Sequence, residues 1–224
     1  MPNIVEPKVT LLAHTTITPQ AKEIMSRQRG TTDAEHLTVL AGRVCYQSMH
    51  RPNRKTAKDA DYLSRTLFEQ KHWSIAEHAT ATVYIEGVSR AFTHELIRHR
   101  HLSYSQLSQR FVDESYADIV MPPAIRGKQW VEAPAVASTE HATASYRSLV
   151  RYLIGKFNMP PKQASEAARA VLPNMVETKI VVTGNLRAWH EVIERRTAPD
   201  ADAEMREVMG LVKDQLHTVA PTLF

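Results

Sequence analysis

The stretch ATATVYIEGVSRAFTHELIRHRHLSYSQLSQR, residues 79–110, places a strand pattern, a helix pattern and a polar segment in direct succession. From Ala79 onward, Ala81, Val83 and Ile85 alternate with Thr80, Thr82, Tyr84 and Glu86, the period-two pattern of a half-buried strand. Ser89 stands where a helix N-cap belongs, and SRAFTHELIRH carries Phe92, Leu96 and Ile97 along one helical face. SYSQLSQRFV mixes small polar and apolar residues at short range, which predicts a loop entering a strand.

Working outward, VTLLAH at Val9–His14 reads as a first strand. Thr18 and Pro19 then open a helix that Gly30 closes. Asp33 begins DAEHLTVLAGRVCYQS, with Leu37, Leu40, Ala41 and Val44 at helical spacing, and the loop MHRPNRK follows. Thr56 or Asp59 starts a third helix with Tyr62, Leu63, Thr66 and Leu67 on its apolar face. Beyond the proline-rich DIVMPPAI, the pattern predicts a helix from Ser138 to Phe157 and another opened by MPP through Ala170. KIVVTG reads as a strand, Asn185 as the cap of LRAWHEVIERR, and Ala201 to Val219 as a last helix. Interleaved helices, few strands and no repeat or linker imply one α+β domain over residues 1–224.

Composition narrows the function. Seven glycines in 224 residues, against about 16 at average usage, are too scattered for G-x-G-x-x-G or a Walker loop. The single cysteine, Cys45, excludes an intrachain disulfide and a thiolate metal cluster. The N-terminal MPNIVEPKVTLLAHT has no apolar signal core and no stretch reaches the ~18 apolar residues of a membrane span, so a cytoplasmic protein is expected. A net charge of +4 is small for a dedicated nucleic-acid binder.

Chemistry concentrates in RHRHLSYSQLSQR. Arg98, His99, Arg100 and Arg110 read either as a wall for phosphate and planar bases or as a solvated basic helix end. Ser103, Ser105, Gln106, Ser108 and Gln109 add neutral donors and acceptors. HELIRH lacks the H-E-x-x-H spacing, since His99 lies five residues beyond His94 and rotates off its face, so no metal site is expected. Cys45, beside Val44 on an apolar helix face, reads as a packed core thiol, and Ser108 as a hydrogen-bonding group. The strand-to-helix junction at Asn185–Arg187 offers amides and a positive dipole to an anion, while Arg187 and Arg196, nine residues apart, project to opposite sides. Two other classes remain open here: a nucleic-acid-binding module using Arg98–Arg110, and a cysteine-based methyltransferase using Cys45.

Three motifs together resemble the flavin-dependent thymidylate synthases, the ThyX family. RHRHLSYSQLSQR resembles the signature of R-H-R, seven residues and a serine, here Arg98-His99-Arg100 and Ser108. HWSIAEH is similar to H-x-[ST]-x-x-E-H, with His72, Ser74, Glu77 and His78 in register, and NLRAWHEVIERR to the C-terminal N-x-R element with a distal arginine at Arg196. The resemblance implies an α+β fold with a small, mostly antiparallel sheet flanked by helices. It implies conversion of dUMP to dTMP with methylenetetrahydrofolate as carbon donor and NADPH as reductant through bound FAD, in a homotetramer whose active sites span subunits, without nucleic acid, membrane or metal. On matching positions it implies FAD contacts from Ser74, Arg98, His99, Arg100, Gln106, Asn185, Leu186 and Arg187. Where relatives carry a histidine or asparagine on the flavin side of the last motif's helix, this chain has Glu191, preceded by His190. For the nucleotide it implies Glu95, Leu96, Ile97, Arg98, Gln106, Leu107, Ser108, Gln109, Arg110 and Arg169, with Arg196 activating the uracil ring.

Overall fold

A computed structural model describes residues 2–24, 31–49 and 55–224. The strand expected from Ala79 is β3, Thr80–Ser89, and its alternation is realised: Ala81, Val83 and Ile85 are buried to 1 % exposure or less. It pairs antiparallel with β2, Lys8–His14, on one side and with β6, Glu177–Asn185, on the other; β4, Ser103–Gln106, completes the order β2-β3-β6-β4. All three pairings are antiparallel. A register shift between Ile85 and Val88 centres on Gly87, at φ +67°, where a Cβ would meet the Glu6 carbonyl oxygen at 2.0 Å. Only glycine fits that backbone and that approach. A separate parallel pair joins β1, Ile4–Val5, to β5, Ile119–Val120, within a segment that reads in sequence only as proline-rich.

Helices cover the sheet. The first helix is described as α1, Pro19–Ile24, with Thr18 Oγ1 accepting from the Ala21 N–H; its expected close at Gly30, and most of the MHRPNRK loop, lie outside the described residues. Next come α2, Asp33–Cys45, and α3, Asp59–Leu63, which runs on into a π-helical turn at Ser64–Glu69. HWSIAEH forms a 3-10 turn, Trp73–Glu77. α4, Arg90–Leu96, is capped by Ser89 as expected but stops three residues short of His99. α5 spans Gln129–Gly155, nine residues longer at its start than the pattern from Ser138 predicted, because it runs through Pro134. α6, Pro161–Ala168, leads through a 3-10 turn at Arg169–Val171 into β6; α7, Leu186–Arg196, and α8, Ala203–His217, close the fold. The core packs Trp189, Phe92, Leu96, Leu186, Met205 and Val208 against the buried face of β3 and β6.

Three expectations are corrected. SYSQLSQRFV enters from a strand rather than leading to one: β4 takes its first half and the loop follows. Cys45 is exposed, its thiol turned back on the Ala41 carbonyl at 3.3 Å, not packed in the core. α2 buries Ala34, Glu35, His36, Thr38, Val39, Gly42 and Arg43 instead of the Leu37–Val44 stripe. Its polar residues decide the rotation: Glu35 Oε1 accepts from the Thr222 N–H at 2.6 Å, His36 Nδ1 meets Asp59 Oδ2 at 2.8 Å, and Arg43 donates to the Thr56 carbonyl at 2.7 Å. Buried polar groups must find such partners, and α2 turns so that they do.

Candidate active site

α4 and the turn after it form one wall of the site. The Tyr104 hydroxyl lies 2.8 Å from the Leu96 carbonyl and 2.7 Å from that of His99, and burial pushes its pKa to about 12, so it stays a donor. This cross-link from β4 occupies carbonyls that a longer helix would use, which explains why α4 ends early. Arg98, His99 and Arg100 are thereby held as a turn against α7. With Glu191 and Arg195 they line a cavity of about 250 Å³. A recognition helix over SRAFTHELIRHRH would run to His101, whereas α4 ends at Leu96, and nothing here supports the nucleic-acid-binding alternative.

Arg196, the last residue of α7, is anchored across that wall. Its Nε donates to His99 Nε2 at 2.8 Å and its Nη1 to Glu95 Oε2 at 3.0 Å, while Nη2 keeps no protein partner among the described residues. His99 is pushed down to about pH 4, first by burial and then by Arg196, Arg195 and Arg98. It is a neutral imidazole at physiological pH, accepting at Nε2 and therefore carrying its proton on Nδ1. Gln106 donates through Nε2 to Thr93 Oγ1 at 2.8 Å and Thr178 Oγ1 at 3.2 Å, leaving its carbonyl oxygen for an incoming donor.

A cationic end lies about 7.5 Å of helix rise from Glu95, at the start of α4. Arg90 donates to the Leu107 carbonyl at 3.2 Å, and its pKa is lowered by burial, raised by Glu114 and lowered by Arg169. Arg110 lies 2.7 Å from Glu166 at an angle that makes an ion pair rather than an aligned hydrogen bond, and its amide donates to Ser108 Oγ at 3.4 Å. Arg90 is absent from the motif-based expectation. Its signal was local: an arginine at the first position of a helix, where opposing the dipole is unfavourable without an anion.

The second wall links α7 to HWSIAEH. Arg187 bridges Glu77 (2.6 Å) and Glu191 (2.9 Å), joining two motifs that lie 110 residues apart. Asn185 caps α7, its Oδ1 accepting from the Ala188 N–H at 2.8 Å. The Leu186 N–H donates to the Ala79 carbonyl, so among the first three amides of α7 that of Arg187 stays open. The structure also separates the two neighbours Glu191 and His190: Glu191 lines the cavity, whereas the His190 ring stacks on Trp73 at 3.9 Å, with Phe68 edge-on to both. Leu96 and Leu186 are fully buried and Gln109 nearly so, so their side chains serve the core. Ser74, Ile97 and Arg98 are exposed along the same surface, and Leu107 is half-buried. Among the described residues no cluster of three histidine, cysteine or acidic side chains is placed to hold a metal, and no helix is long and apolar enough to cross a membrane.

Residues 29–222 match the family model described as Thymidylate synthase complementing protein. Over 203 residues the chain is 46 % identical to the flavin-dependent thymidylate synthase of Mycobacterium marinum (strain ATCC BAA-535 / M), across 87 % of this chain and 81 % of that one. The chain belongs to the flavin-dependent thymidylate synthase family. The Mycobacterium tuberculosis (strain ATCC 25618 / H37Rv) member is 47 % identical over the same coverage. Among solved structures, the Helicobacter pylori enzyme complexed with FAD and dUMP shares the fold at TM-score 0.68, with 21 % identity over 93 % of each chain. The UMP/dUMP methylase PolB of Streptomyces cacaoi, bound with 5-Br dUMP, does so at TM-score 0.74, with 20 % identity over 100 % of this chain and 95 % of that one. The three motifs of this family, far apart in sequence, thus converge on one surface between α4, α7 and the Trp73–Glu77 turn.

Proposed function

We propose that this chain makes dTMP from dUMP, with methylenetetrahydrofolate supplying the carbon and NADPH the reducing equivalents through bound FAD. The observation that carries the proposal is the doubly anchored Arg196, held by a neutral His99 and by Glu95 with its Nη2 free. The residues present fit a flavin dinucleotide: Arg98, Arg100 and Arg195 offer cations around the cavity, and the open Arg187 amide sits at a helix N-terminus, where a diphosphate is favoured. Ser74, His99, Gln106, Asn185 and Glu191 complete the proposed flavin contacts, while Leu186, fully buried with its N–H on the Ala79 carbonyl, is left out of them. When bound, the flavin supplies hydride and electron chemistry that no side chain here provides.

The protein's own residues bind and polarise. Arg90, Arg110 and Arg169 gather cations for a 5′-phosphate, with Ser108 beside them. The Gln106 oxygen faces the ring or sugar with its amide locked by two threonines. The free Nη2 of Arg196 reaches for a uracil carbonyl and N3, where negative charge develops as C5 becomes nucleophilic. Because Nε and Nη1 are already fixed, little reorganisation opposes that step. No protein thiol takes part: Cys45 lies exposed at the end of α2, remote in sequence from the three motifs. Exposed apolar side chains such as Trp130, Phe111 and Tyr116 support assembly into the homotetramer, in a cytoplasmic setting.

Purified protein is expected to be yellow, with a flavin band bleached by NADPH, and Arg196→Ala to keep its flavin while losing most dTMP formation. Colourless protein that takes up no FAD, or normal turnover by the variant, defeats the proposal.

A further inference from the structure

Beyond the cavity beside α7, a second hollow of about 330 Å³ opens between the end of α2 and the π-helical turn after α3. Arg43, Arg65 and His72 line it together with Tyr46, Tyr62 and Gln70, and among the described residues no acidic side chain does. Arg43 is only 8 % exposed, and one of its nitrogens donates to the Thr56 carbonyl at 2.7 Å. Its guanidinium lies 4.5 Å from the centre of the Tyr62 ring. Among the described residues no carboxylate stands within ion-pair distance of either Arg43 or Arg65. Among the described residues the Thr56 carbonyl is the one hydrogen-bond acceptor of the Arg43 guanidinium, and Arg43 lines the hollow.

A buried charge without a counter-ion is costly, and neither the aromatic ring nor one carbonyl neutralises it. Holding the Thr56 carbonyl requires only a neutral donor, so a purely structural role leaves the charge unexplained. An arriving anion accounts for it: the buried Arg43 and the exposed Arg65 guanidiniums offer a pair of forks, the tyrosine hydroxyls and Gln70 add neutral donors, and the burial of Arg43 strengthens its own contact. The chain also shapes this mouth locally. Ser48 and Gln47 donate back to the Arg43 and Val44 carbonyls, with Gln47 at φ 49°, and this reversal brings Tyr46 and Ser48 over the opening.

The hollow adjoins the flavin wall. His72 lies two residues before Ser74, and Trp73 between them packs against His190, next to the cavity-lining Glu191. It has room for an anionic group and its immediate neighbours, not for a whole cofactor.

We propose that this hollow is an anion site for the charged tail, phosphate or carboxylate, of a co-substrate whose reactive end reaches the flavin. The proposal rests on the flavin-dependent function above. It is tested on the holoenzyme with dUMP saturating, so that the nucleotide's own phosphate site is filled. Inorganic phosphate and glutarate are titrated by calorimetry into the parent, Arg65→Ala and Arg43→Gln, and KM is then measured for NADPH, NADH and methylenetetrahydrofolate. Arg65 is exposed, so Arg65→Ala is expected to fold with an unchanged melting temperature and to weaken binding of one probe by roughly tenfold. A matching rise in KM for NADPH but not NADH assigns the site to the dinucleotide's extra phosphate; a rise for the folate assigns it to the tail carboxylates. Failure of both probes to bind the parent, or equal binding by all three proteins, overturns the site. Because the probe titrations need no turnover, an inactive protein that still binds phosphate through Arg65 would sink the enzymatic reading and leave the anion site standing.

Discussion

Replacing His99 with alanine removes one of the two anchors of Arg196 while leaving the fold around it intact. The lost contact is the 2.8 Å bond from Arg196 Nε to His99 Nε2. A hydrogen bond to a charged group contributes about 1.5–3 kcal/mol. The surviving anchor, Glu95, is 40 % exposed on its side chain against 16 % for Arg196, so it compensates by no more than about 1 kcal/mol. A net loss of about 0.5–2 kcal/mol in transition-state stabilisation corresponds to a two- to thirtyfold fall in kcat/KM for dUMP. His99→Gln is expected to recover most of it, since an amide oxygen accepts from Nε without titrating. The assay is dTMP formation normalised to flavin absorbance, because His99 also lies on the proposed flavin wall. pH supplies a second readout. Protonation near pH 4 turns Nε2 from acceptor to donor and sets a cation against Arg196, so the parent has an acid limb near that value and the glutamine variant does not. The folded-state pKa lies below the ordinary 6.5, so this histidine also withdraws stability as pH falls from about 6.5 toward 4. An alanine variant within twofold of the parent, or a glutamine variant worse than alanine, refutes the anchoring role.

Tyr104→Phe is expected to cost about 0.5–1.5 kcal/mol, read as a melting-temperature drop of a few degrees, and to loosen the Arg98–Arg100 turn so that flavin washes out faster on dilution. Cys45→Ser is expected to leave both activity and melting temperature unchanged, and iodoacetamide should label the parent thiol without loss of turnover; inactivation on labelling would restore the thiol-based reading. Glu114 is 4 % exposed with one carboxyl oxygen unpartnered, and burial raises its pKa to about 7, opposed by Arg90 and reinforced by Glu177 and Asp113. A carboxyl raised in the folded state favours folding at low pH and loses that contribution as pH climbs from about 4.5 through 7, so Glu114→Gln should gain stability relative to the parent above pH 7 and not at pH 4.5.

Local signals were legible wherever a short-range rule matched what the tertiary structure needed. Ser89 and Asn185 cap the helices their positions suggested, and the alternation of Ala81, Val83 and Ile85 became the buried face of a central strand. The three motifs pointed to one site because each carries residue types with few bland uses together, and the bridge from Arg187 to Glu77 now joins two of them physically. What stayed hidden depends on partners outside each helix. Periodicity put Leu37, Leu40, Ala41 and Val44 inside α2, but the Thr222 amide, Asp59 and the Thr56 carbonyl turned the opposite face inward. Helical pattern carried α4 on to His99, yet a tyrosine hydroxyl from β4 ends it at Leu96. That same early stop creates the site: had the helix continued, His99 would ride on its surface instead of resting against Arg196. The misread helix end and the site's central contact therefore share one cause, a hydroxyl from the next strand, only five to eight residues on, that outweighs helix propensity worth only tenths of a kcal/mol, about 0.7 at most, per residue. Arg90 escaped notice for the converse reason: an arginine opening a helix looks like an ordinary polar residue until Arg169 and Glu114, from other parts of the chain, are seen to lie within electrostatic reach of it.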